Sequence, residues 1–178
     1  MAVNGVIPQS KKARIVETLS QKSHPMPHQI ISYNIRSFGV GIDSKFGHTK
    51  NLILKEKPSF LALQETKLHQ VDNNWVFSLW GNPDCEFIQR EMVGKSGGQL
   101  LIWDKQDFEA TDVINVEHVI GIRGKWKSNG KCINVLNVYG PHEDSKKKKL
   151  WDSLSSILDD NEVWVLCGDF NEVMDETE

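Results

Sequence analysis

Several apolar segments of the sequence end in polar residues that have the chemistry of a hydrolytic site. Two of these ends carry a carboxylate, Glu65 directly after Gln64 in one and Asp169 in the other. A half-buried carboxylate is costly unless it is paired or bound to a cation, so the two residues predict an oxygen-rich site for a hard divalent ion. Mg²⁺ or Mn²⁺ fits such a site, whereas Zn²⁺ does not. The other polar residues at segment ends are Asn34, Tyr139 after Asn137, and Asn171 after Asp169.

Each of these polar residues has a simpler interpretation when it is taken alone. It caps its strand and reaches water in the loop that follows. Strand ends that line up in one layer of sheet, however, converge on one cleft. The combination of four such ends therefore favours a shared site over four separate caps.

The elements that must position these residues begin at Gln29, where short apolar runs start to alternate with turn residues. The runs that predict β-strands are 30–35, 60–63, 85–88, 99–103, 113–122, 131–139 and 163–167. Asn129-Gly130 tolerates positive φ and predicts an antiparallel turn before the segment that ends at Tyr139.

Helices are predicted in three places. The first ends before Pro58 and carries Phe46, Ile53 and Leu54 at helical spacing, and the second covers 71–80. The third has an apolar stripe and either Asp144 or Ser145 as its N-cap. The stripe consists of Leu150, Leu154, Ile157 and Leu158.

The chain divides into a polar leader or linker over residues 1–27 and one domain over residues 28–178. The leader contains Lys11, Lys12 and Arg14 and closes with Pro25 and Pro27. A nuclear address in this basic cluster and a chance cluster are equally compatible with it. No apolar run approaches the ~20 residues of a membrane helix, and Met1–Pro8 lacks the apolar core of a signal peptide. The expected location is nuclear or cytoplasmic.

The charge of the chain is unevenly distributed. The formal net charge is −3, but the stretch from Leu150 to Glu178 holds nine acidic and no basic residues. Residues 1–149 therefore hold 21 basic and 15 acidic residues, 21 − 15 = +6. This permits a nucleic-acid partner and adds weak support for one. The basic run Lys146–Lys149 is interpreted first as a solvated helix face and second as a phosphate contact.

Other site chemistries find no support in the sequence. Cys85, Cys132 and Cys167 are odd in number and far apart, which favours free thiols and no disulfide. Gly94-Lys95-Ser96 lacks the preceding glycine of a phosphate-binding loop, because Gln89 stands at that position. Neither zinc-finger spacing nor the Gly-x-Ser-x-Gly elbow of a serine hydrolase occurs.

At this point the sequence resembles a known family over about residues 29–178. The segments Ile31–Arg36, Leu63–Lys67, Ser96–Gly98, Asn137–Pro141 and Gly168–Val173 resemble successive motifs of the endonuclease/exonuclease/phosphatase superfamily, in the family's order. Their wording is most similar to the nuclease domain of plant LINE-type retrotransposons, which precedes a reverse transcriptase. The resemblance implies an α/β (α+β) fold of the DNase I-like type, a two-sheet β-sandwich flanked by helices, and DNA as substrate.

The resemblance also implies roles for individual residues. Glu65 would ligate a catalytic Mg²⁺ or Mn²⁺, and Asn34 would help to orient the metal and the phosphate. Asp169 would orient or deprotonate the attacking water, Asn171 would hydrogen-bond the scissile phosphate, and Tyr139 would supply a phenolic hydroxyl.

The family's pattern continues with a further catalytic Asp and a Ser-Asp-His-like motif, which this sequence does not contain. The six histidines match no such motif and are predicted to be surface or packing residues. The fold is accordingly expected to be incomplete at its C-terminus, with activity reduced by roughly four to seven decades. Three functions stay open: a nuclease that nicks DNA for reverse transcription, a phosphatase of a small molecule or lipid, and a non-catalytic remnant of a retroelement. The oligomeric state is not determined by the sequence.

Overall fold

A computed structural model describes residues 14–17, 28–38, 42–94 and 96–171. Within these ranges the chain forms two mixed β-sheets and three helices. The strands are β1 (Arg14–Glu17), β2 (Gln29–Asn34), β3 (Phe60–Gln64), β4 (Cys85–Val93), β5 (Ser96–Asp104), β6 (Phe108–Val116), β7 (Val119–Trp126), β8 (Cys132–Tyr139) and β9 (Trp164–Asp169). The helices are α1 (Ile42–Glu56), α2 (Asn73–Trp80) and α3 (Asp144–Ile157).

Each sheet contains one parallel pair of strands. The first sheet has the order β1-β2-β3-β5-β4 and the second the order β6-β7-β8-β9. The parallel pairs are β2 with β3 and β8 with β9, and a helix connects the strands of each pair. Because parallel strands end at the same edge of a sheet, each pair delivers two strand ends to one place.

Alternation along the strands divides the side chains among three apolar layers. In β3, Phe60 and Ala62 face the second sheet, whereas Leu61 and Leu63 face α1 and α2. In β8, Val135 faces the first sheet and Leu136 packs with Leu150 of α3. The result is a β-sandwich with helices on both outer faces, so the predicted two-sheet architecture is confirmed.

Several local predictions need correction. Residues 113–122 are not one β segment, because the chain turns at Glu117–His118 between β6 and β7. The N-cap of α3 is Glu143, not Asp144 or Ser145: its carbonyl oxygen accepts the backbone N–H groups of Lys146 and Lys147. The side chain of Glu143 pairs with Lys146 and makes no capping hydrogen bond.

The residues of the predicted leader that the structure describes, 14–17, form strand β1. Strand β1 pairs antiparallel with β2, from Arg14↔Ser32 to Glu17↔Gln29, and so extends the first sheet. Polar composition hid this strand from sequence analysis. The remainder of the leader, with Lys11 and Lys12, lies outside the described residues. None of the helices in the described ranges has the length and apolar character needed to cross a membrane.

The cysteines differ in accessibility in a way that thiol labelling can test. Cys85 and Cys167 are buried and Cys132 is exposed. Burial raises the pKa of Cys85 to about 11 and that of Cys167 to about 12, so both stay protonated at mildly alkaline pH. We expect one thiol per chain to react rapidly with a disulfide reagent in the folded protein and all three after denaturation. Cys132→Ser should remove the rapid phase, and rapid reaction of a second thiol would contradict this packing.

Candidate active site

The parallel strand pairs place the predicted site residues at one end of the gap between the sheets. Asn34 lies level with Gln64 in the first sheet, and Tyr139 lies level with Asp169 in the second. Asn34 follows Ile30 by four positions and Asp169 follows Cys167 by two, so both side chains share the inward face of their strands. Two strands of each sheet therefore end at a common edge of the sandwich.

Glu65 reaches the same edge through a sharp change of backbone direction after β3. Its φ is 51°, in the left-handed region that a residue with a Cβ adopts only when its surroundings hold it there. Its carbonyl oxygen accepts the N–H of Ser37 at 2.6 Å, and the next residue, Thr66, donates its N–H to Gly98 at 3.1 Å. The loop after β2 and the first residues of β5 thus fix the turn that aims this carboxylate.

Asn34 connects the two carboxylates directly. Its Nδ2 donates to Glu65 Oε1 at 3.1 Å and to Asp169 Oδ2 at 2.5 Å. Its Oδ1 accepts the backbone N–H of Arg36 at 3.1 Å. Glu65 and Asp169, far apart in sequence and on different sheets, therefore share one amide group, as the strand-end argument required.

The Asn34 amide is oriented with its nitrogen, not its oxygen, toward the carboxylates. For Asn34 to offer oxygen to a cation in this gap, the amide must turn over and give up the bond to Arg36. The structure therefore brings Asn34 to the site as a bridge between the carboxylates. The predicted role of Asn34 as a metal ligand beside Glu65 stays a prediction.

Tyr139 completes the polar edge from the second sheet. Desolvation raises the pKa of its phenol, and the neighbouring carboxylate of Glu65, which accepts a hydrogen bond from the phenol, raises it further, as does the charge of Asp169. The phenol is therefore protonated at neutral pH and acts as a hydrogen-bond donor.

The raised pKa of Tyr139 can be tested by alkaline titration. A group with a raised folded pKa contributes stability that is present below its unfolded value, 10.0 for this phenol, and is lost as pH rises beyond it. We expect phenolate absorbance to develop in the folded protein with a late step that Tyr139→Phe removes. If Tyr139→Phe instead removes a titration step at the ordinary tyrosine pKa, the carboxylates of Glu65 and Asp169 do not lie close to the Tyr139 phenol.

Asn171 lies beside Asp169 and is held by backbone contacts. Its N–H donates to Asp169 Oδ1 at 3.0 Å, and its Nδ2 donates to the carbonyl oxygen of Gly140 at 2.6 Å. Its φ is 50°. Asn171 thus ties the end of β9 to the loop after Tyr139.

Two glycines permit the close approach of these segments. A Cβ on Gly168, which has φ +142°, would lie 1.9 Å from the carbonyl oxygen of Val138. A Cβ on Gly140 would lie 2.2 Å from the carbonyl oxygen of Phe170. Both distances are shorter than any side chain allows, which explains glycine before Asp169 and after Tyr139.

A buried amide network lies directly beneath the site and was not predicted from the sequence. Gln64 Nε2 donates to Asn137 Oδ1 at 2.7 Å across the sandwich, and Asn137 Nδ2 donates to the carbonyl oxygens of Leu63 and Leu100 at 3.0 and 3.2 Å. Gln99 Nε2 donates to the carbonyl oxygen of Asn137 at 2.9 Å. Gln64 and Asn137 stand out in the sequence only as polar residues next to site residues.

Lys45 of α1 is a second feature that sequence reasoning missed. Its Nζ donates to the carbonyl oxygens of Ile35, Arg36 and Ser37 at 2.8–3.0 Å. It thereby holds the loop after Asn34. No local pattern distinguishes Lys45 from a solvated helix lysine, because its partners lie on another element.

The histidines lie away from this constellation or at its periphery. His48, His69 and His142 are exposed. His28 stacks on Trp126 with ring centroids 3.6 Å apart, and His118 lies in the β6–β7 turn. His24 lies outside the described residues.

Solved structures with the same architecture cover most of this chain. The catalytic domain of human Nocturnin matches 91% of the chain with a TM-score of 0.60 and 20% identity. A mannosyl-6-phosphatase from Bacteroides thetaiotaomicron matches 80% with a TM-score of 0.59 and 16% identity. An AP endonuclease from Archaeoglobus fulgidus matches 80% with a TM-score of 0.56 and 20% identity. The likeness identifies a DNase I-like fold, and the chain spans 68%, 64% and 56% of the lengths of these three structures.

Sequence comparison gives the family. A comparison with curated proteins found no significant match. Residues 31–178 match the Endonuclease/Exonuclease/phosphatase family, and that range holds all the motifs that converge on the site. The chain therefore belongs to the endonuclease/exonuclease/phosphatase family, whose members are hydrolases.

Proposed function

We propose that this chain hydrolyses phosphodiester bonds of DNA in a divalent-metal-dependent reaction, as the endonuclease domain of a LINE-type retroelement. The observation that carries the proposal is the shared Asn34 amide, which holds Glu65 and Asp169 at 3.1 and 2.5 Å from one nitrogen. Two adjacent carboxylates repel each other, and a cation between them relieves that repulsion.

The donor set fits Mg²⁺ or Mn²⁺. These ions are bound by one or two protein carboxylates and take their remaining ligands from water and substrate phosphate. Within the described ranges, no three His, Cys, Asp or Glu side chains form a metal cluster. In this proposal Glu65 is the metal-bound carboxylate, and water and substrate phosphate take the other positions. Glu65 is the better anchor because the phenol of Tyr139 and the amide of Asn34 both fix its orientation.

When bound, the ion would neutralise phosphate charge and lower the pKa of water. Asp169 would orient the attacking water and accept its proton. Tyr139 is a protonated donor that can stabilise charge on a phosphate oxygen, and Asn171 holds the end of β9 where its amide can do the same.

Three features support DNA as the substrate. Residues 1–149 carry a net charge of +6, which attracts phosphates. A structure with the same fold is that of an AP endonuclease, a nuclease by its name. The motifs around Asn34, Tyr139 and Asp169 resemble those of LINE-type nuclease domains.

A phosphatase is the second candidate, because the mannosyl-6-phosphatase shares the fold as closely as the nuclease does. The two candidates are distinguished by their products. We expect the chain to convert supercoiled plasmid to the nicked form with Mg²⁺ or Mn²⁺, to lose this activity in EDTA, and to release no phosphate from sugar phosphates.

Phosphate release without nicking would replace the first proposal by the second. If neither reaction occurs and neither Mg²⁺ nor duplex DNA binds by calorimetry, the chain is a non-catalytic remnant. The retroelement origin has its own test, since the reading frame that continues this coding sequence should encode a Ser-Asp-His motif and a reverse transcriptase.

A further inference from the structure

An aromatic pair links the outer surface of α3 to the end of β9. The rings of Trp151 and Phe170 are stacked, with centroids 5.9 Å apart and planes inclined by 8°. Phe170 packs against the apolar layer beneath α3, but Trp151 is 42% exposed. One side of the indole thus rests on Phe170 while much of the ring is open to solvent.

This stack adjoins the proposed catalytic residues. Phe170 stands between Asp169 and Asn171 in the chain, so the support of the indole is covalently joined to both. Helix α3 begins only five residues after Tyr139, and Trp151 lies about 10 Å along the helix from its first residue, Asp144. Asp169 faces the gap between the sheets and Phe170 faces α3, so a nucleic-acid strand that leaves the site over the end of β9 and continues along α3 would pass Trp151.

Positive charge lies between the site and the indole on the same helix. Lys146 and Lys147 form ion pairs with Glu143 and Asp144. Lys148 lies one turn before Trp151 on the same face, is exposed, and forms no ion pair with any side chain in the described ranges. A free cation next to an open aromatic ring is complementary to a phosphate followed by a base.

We propose that Trp151 and Lys148 form a subsite for single-stranded nucleic acid, in which one base stacks on the open face of the indole and the adjacent phosphate contacts the lysine. The inference rests on the proposed nuclease function and specifies the substrate: the strand next to the scissile bond is unpaired. A base within a duplex already stacks on its neighbours and must be flipped out before it can reach an indole. In a single-stranded substrate no base has to be flipped out of a duplex.

Binding measurements without divalent metal test this subsite independently of hydrolysis. The probes are a fluorescent oligothymidylate, an abasic oligomer of equal length, and a duplex, each titrated in EDTA with the full chain. We expect Trp151→Ala to weaken oligothymidylate binding roughly tenfold and to leave binding of the abasic oligomer within twofold. Trp151→Phe, which keeps a ring, should restore most of the affinity.

The lysine and the controls give separate outcomes. Lys148→Ala should weaken both single-stranded probes and lower the salt dependence of log K by roughly 0.7, the value for one phosphate contact on a single strand. Val113→Ala, at an exposed apolar residue of β6, and Lys131→Ala, in the β7–β8 turn, should behave as wild type.

Three binding results would overturn the proposal. The first is that Trp151→Ala leaves oligothymidylate binding unchanged. The second is that Trp151→Ala weakens binding of the oligothymidylate and of the abasic oligomer by the same factor. The third is that it weakens duplex binding as much as oligothymidylate binding. A dimer that dissociates on Trp151→Ala would assign the indole to a second copy of the chain and would also overturn it. If the chain does not nick plasmid DNA but still binds oligothymidylate in a Trp151-dependent way, the proposed hydrolysis is refuted and the subsite is supported.

Discussion

Asp169→Asn is expected to lower the rate of metal-dependent DNA hydrolysis by roughly 10²- to 10⁴-fold, the range for loss of a positioned proton acceptor. The amide keeps the size of the side chain, but it cannot take a proton from water. It also brings an N–H donor near the Nδ2 of Asn34, which now lies 2.5 Å from Asp169 Oδ2. Single-turnover rates on supercoiled-plasmid or oligonucleotide substrates measure the loss.

Glu65→Gln is expected to have a comparable effect through a different step. The variant loses the anionic oxygen that Tyr139 and Asn34 orient, so its metal requirement should shift to higher Mg²⁺ concentration. Because the two carboxylates act on one reacting centre, the double variant should be little slower than the slower single variant. Asp160→Asn and Glu86→Gln, at exposed positions, are matched controls. If both site variants hydrolyse DNA at the wild-type rate, Glu65 and Asp169 do not form the proposed hydrolytic centre.

Asn137→Leu is expected to destabilise the fold by about 3 kcal/mol or more, a large fraction of the stability of a domain of this size. Asn137 is fully buried and is the hub of the amide network between the sheets. Leucine has a similar volume but removes the acceptor of one Gln64 hydrogen bond and the two bonds that Asn137 donates to the carbonyl oxygens of Leu63 and Leu100. Gln64 Nε2 keeps its bonds to Ser32 Oγ and to the carbonyl oxygen of Ala62, and each lost buried hydrogen bond costs about 1 kcal/mol. The free energy of urea-induced unfolding measures the effect, and Asn74→Leu on the exposed surface of α2 should change it by less than about 0.5 kcal/mol.

A double variant separates lost pairing from lost packing. If the Gln64–Asn137 bond dominates, Gln64→Leu combined with Asn137→Leu should be more stable than the sum of the single effects, because the double variant loses that shared bond only once. Strictly additive losses would show that the two amides act independently. An Asn137→Leu protein as stable as wild type would show that apolar packing replaces the network without loss.

The sequence predicted the site to the extent that local patterns carry its information. Period-two alternation and the polar residues at strand ends placed Asn34, Glu65, Tyr139 and Asp169 together, and the structure has them at one edge of the sandwich. The glycines at 140 and 168 were visible within the motifs, although their physical reason is a backbone contact between β8 and β9 that only the fold shows.

The features that escaped prediction depend on distant partners. Lys45 resembles any helix lysine until the loop after Asn34 is seen to surround its Nζ. The orientation of the Asn34 amide follows from a hydrogen bond to Arg36, which no spacing encodes. Strand β1 was missed because an edge strand that pairs on one side needs little apolar character, and the cap at Glu143 was missed because its carbonyl oxygen, not its side chain, accepts the first helical N–H groups.

Glu65 is attached to one sheet and Asp169 to the other. The distance between their carboxylates therefore depends on the packing of the whole interior between the sheets. Face-to-face sheets stand about 10 Å apart, a distance set by the bulk of the side chains packed between them. At the end of β3 remote from Glu65, Phe60 meets Phe108 of the second sheet with ring centroids 4.9 Å apart. Trimming or enlarging either ring would tilt one sheet against the other and change the separation of the two carboxylates. Substitutions at core positions far from the site are therefore expected to alter the proposed hydrolysis.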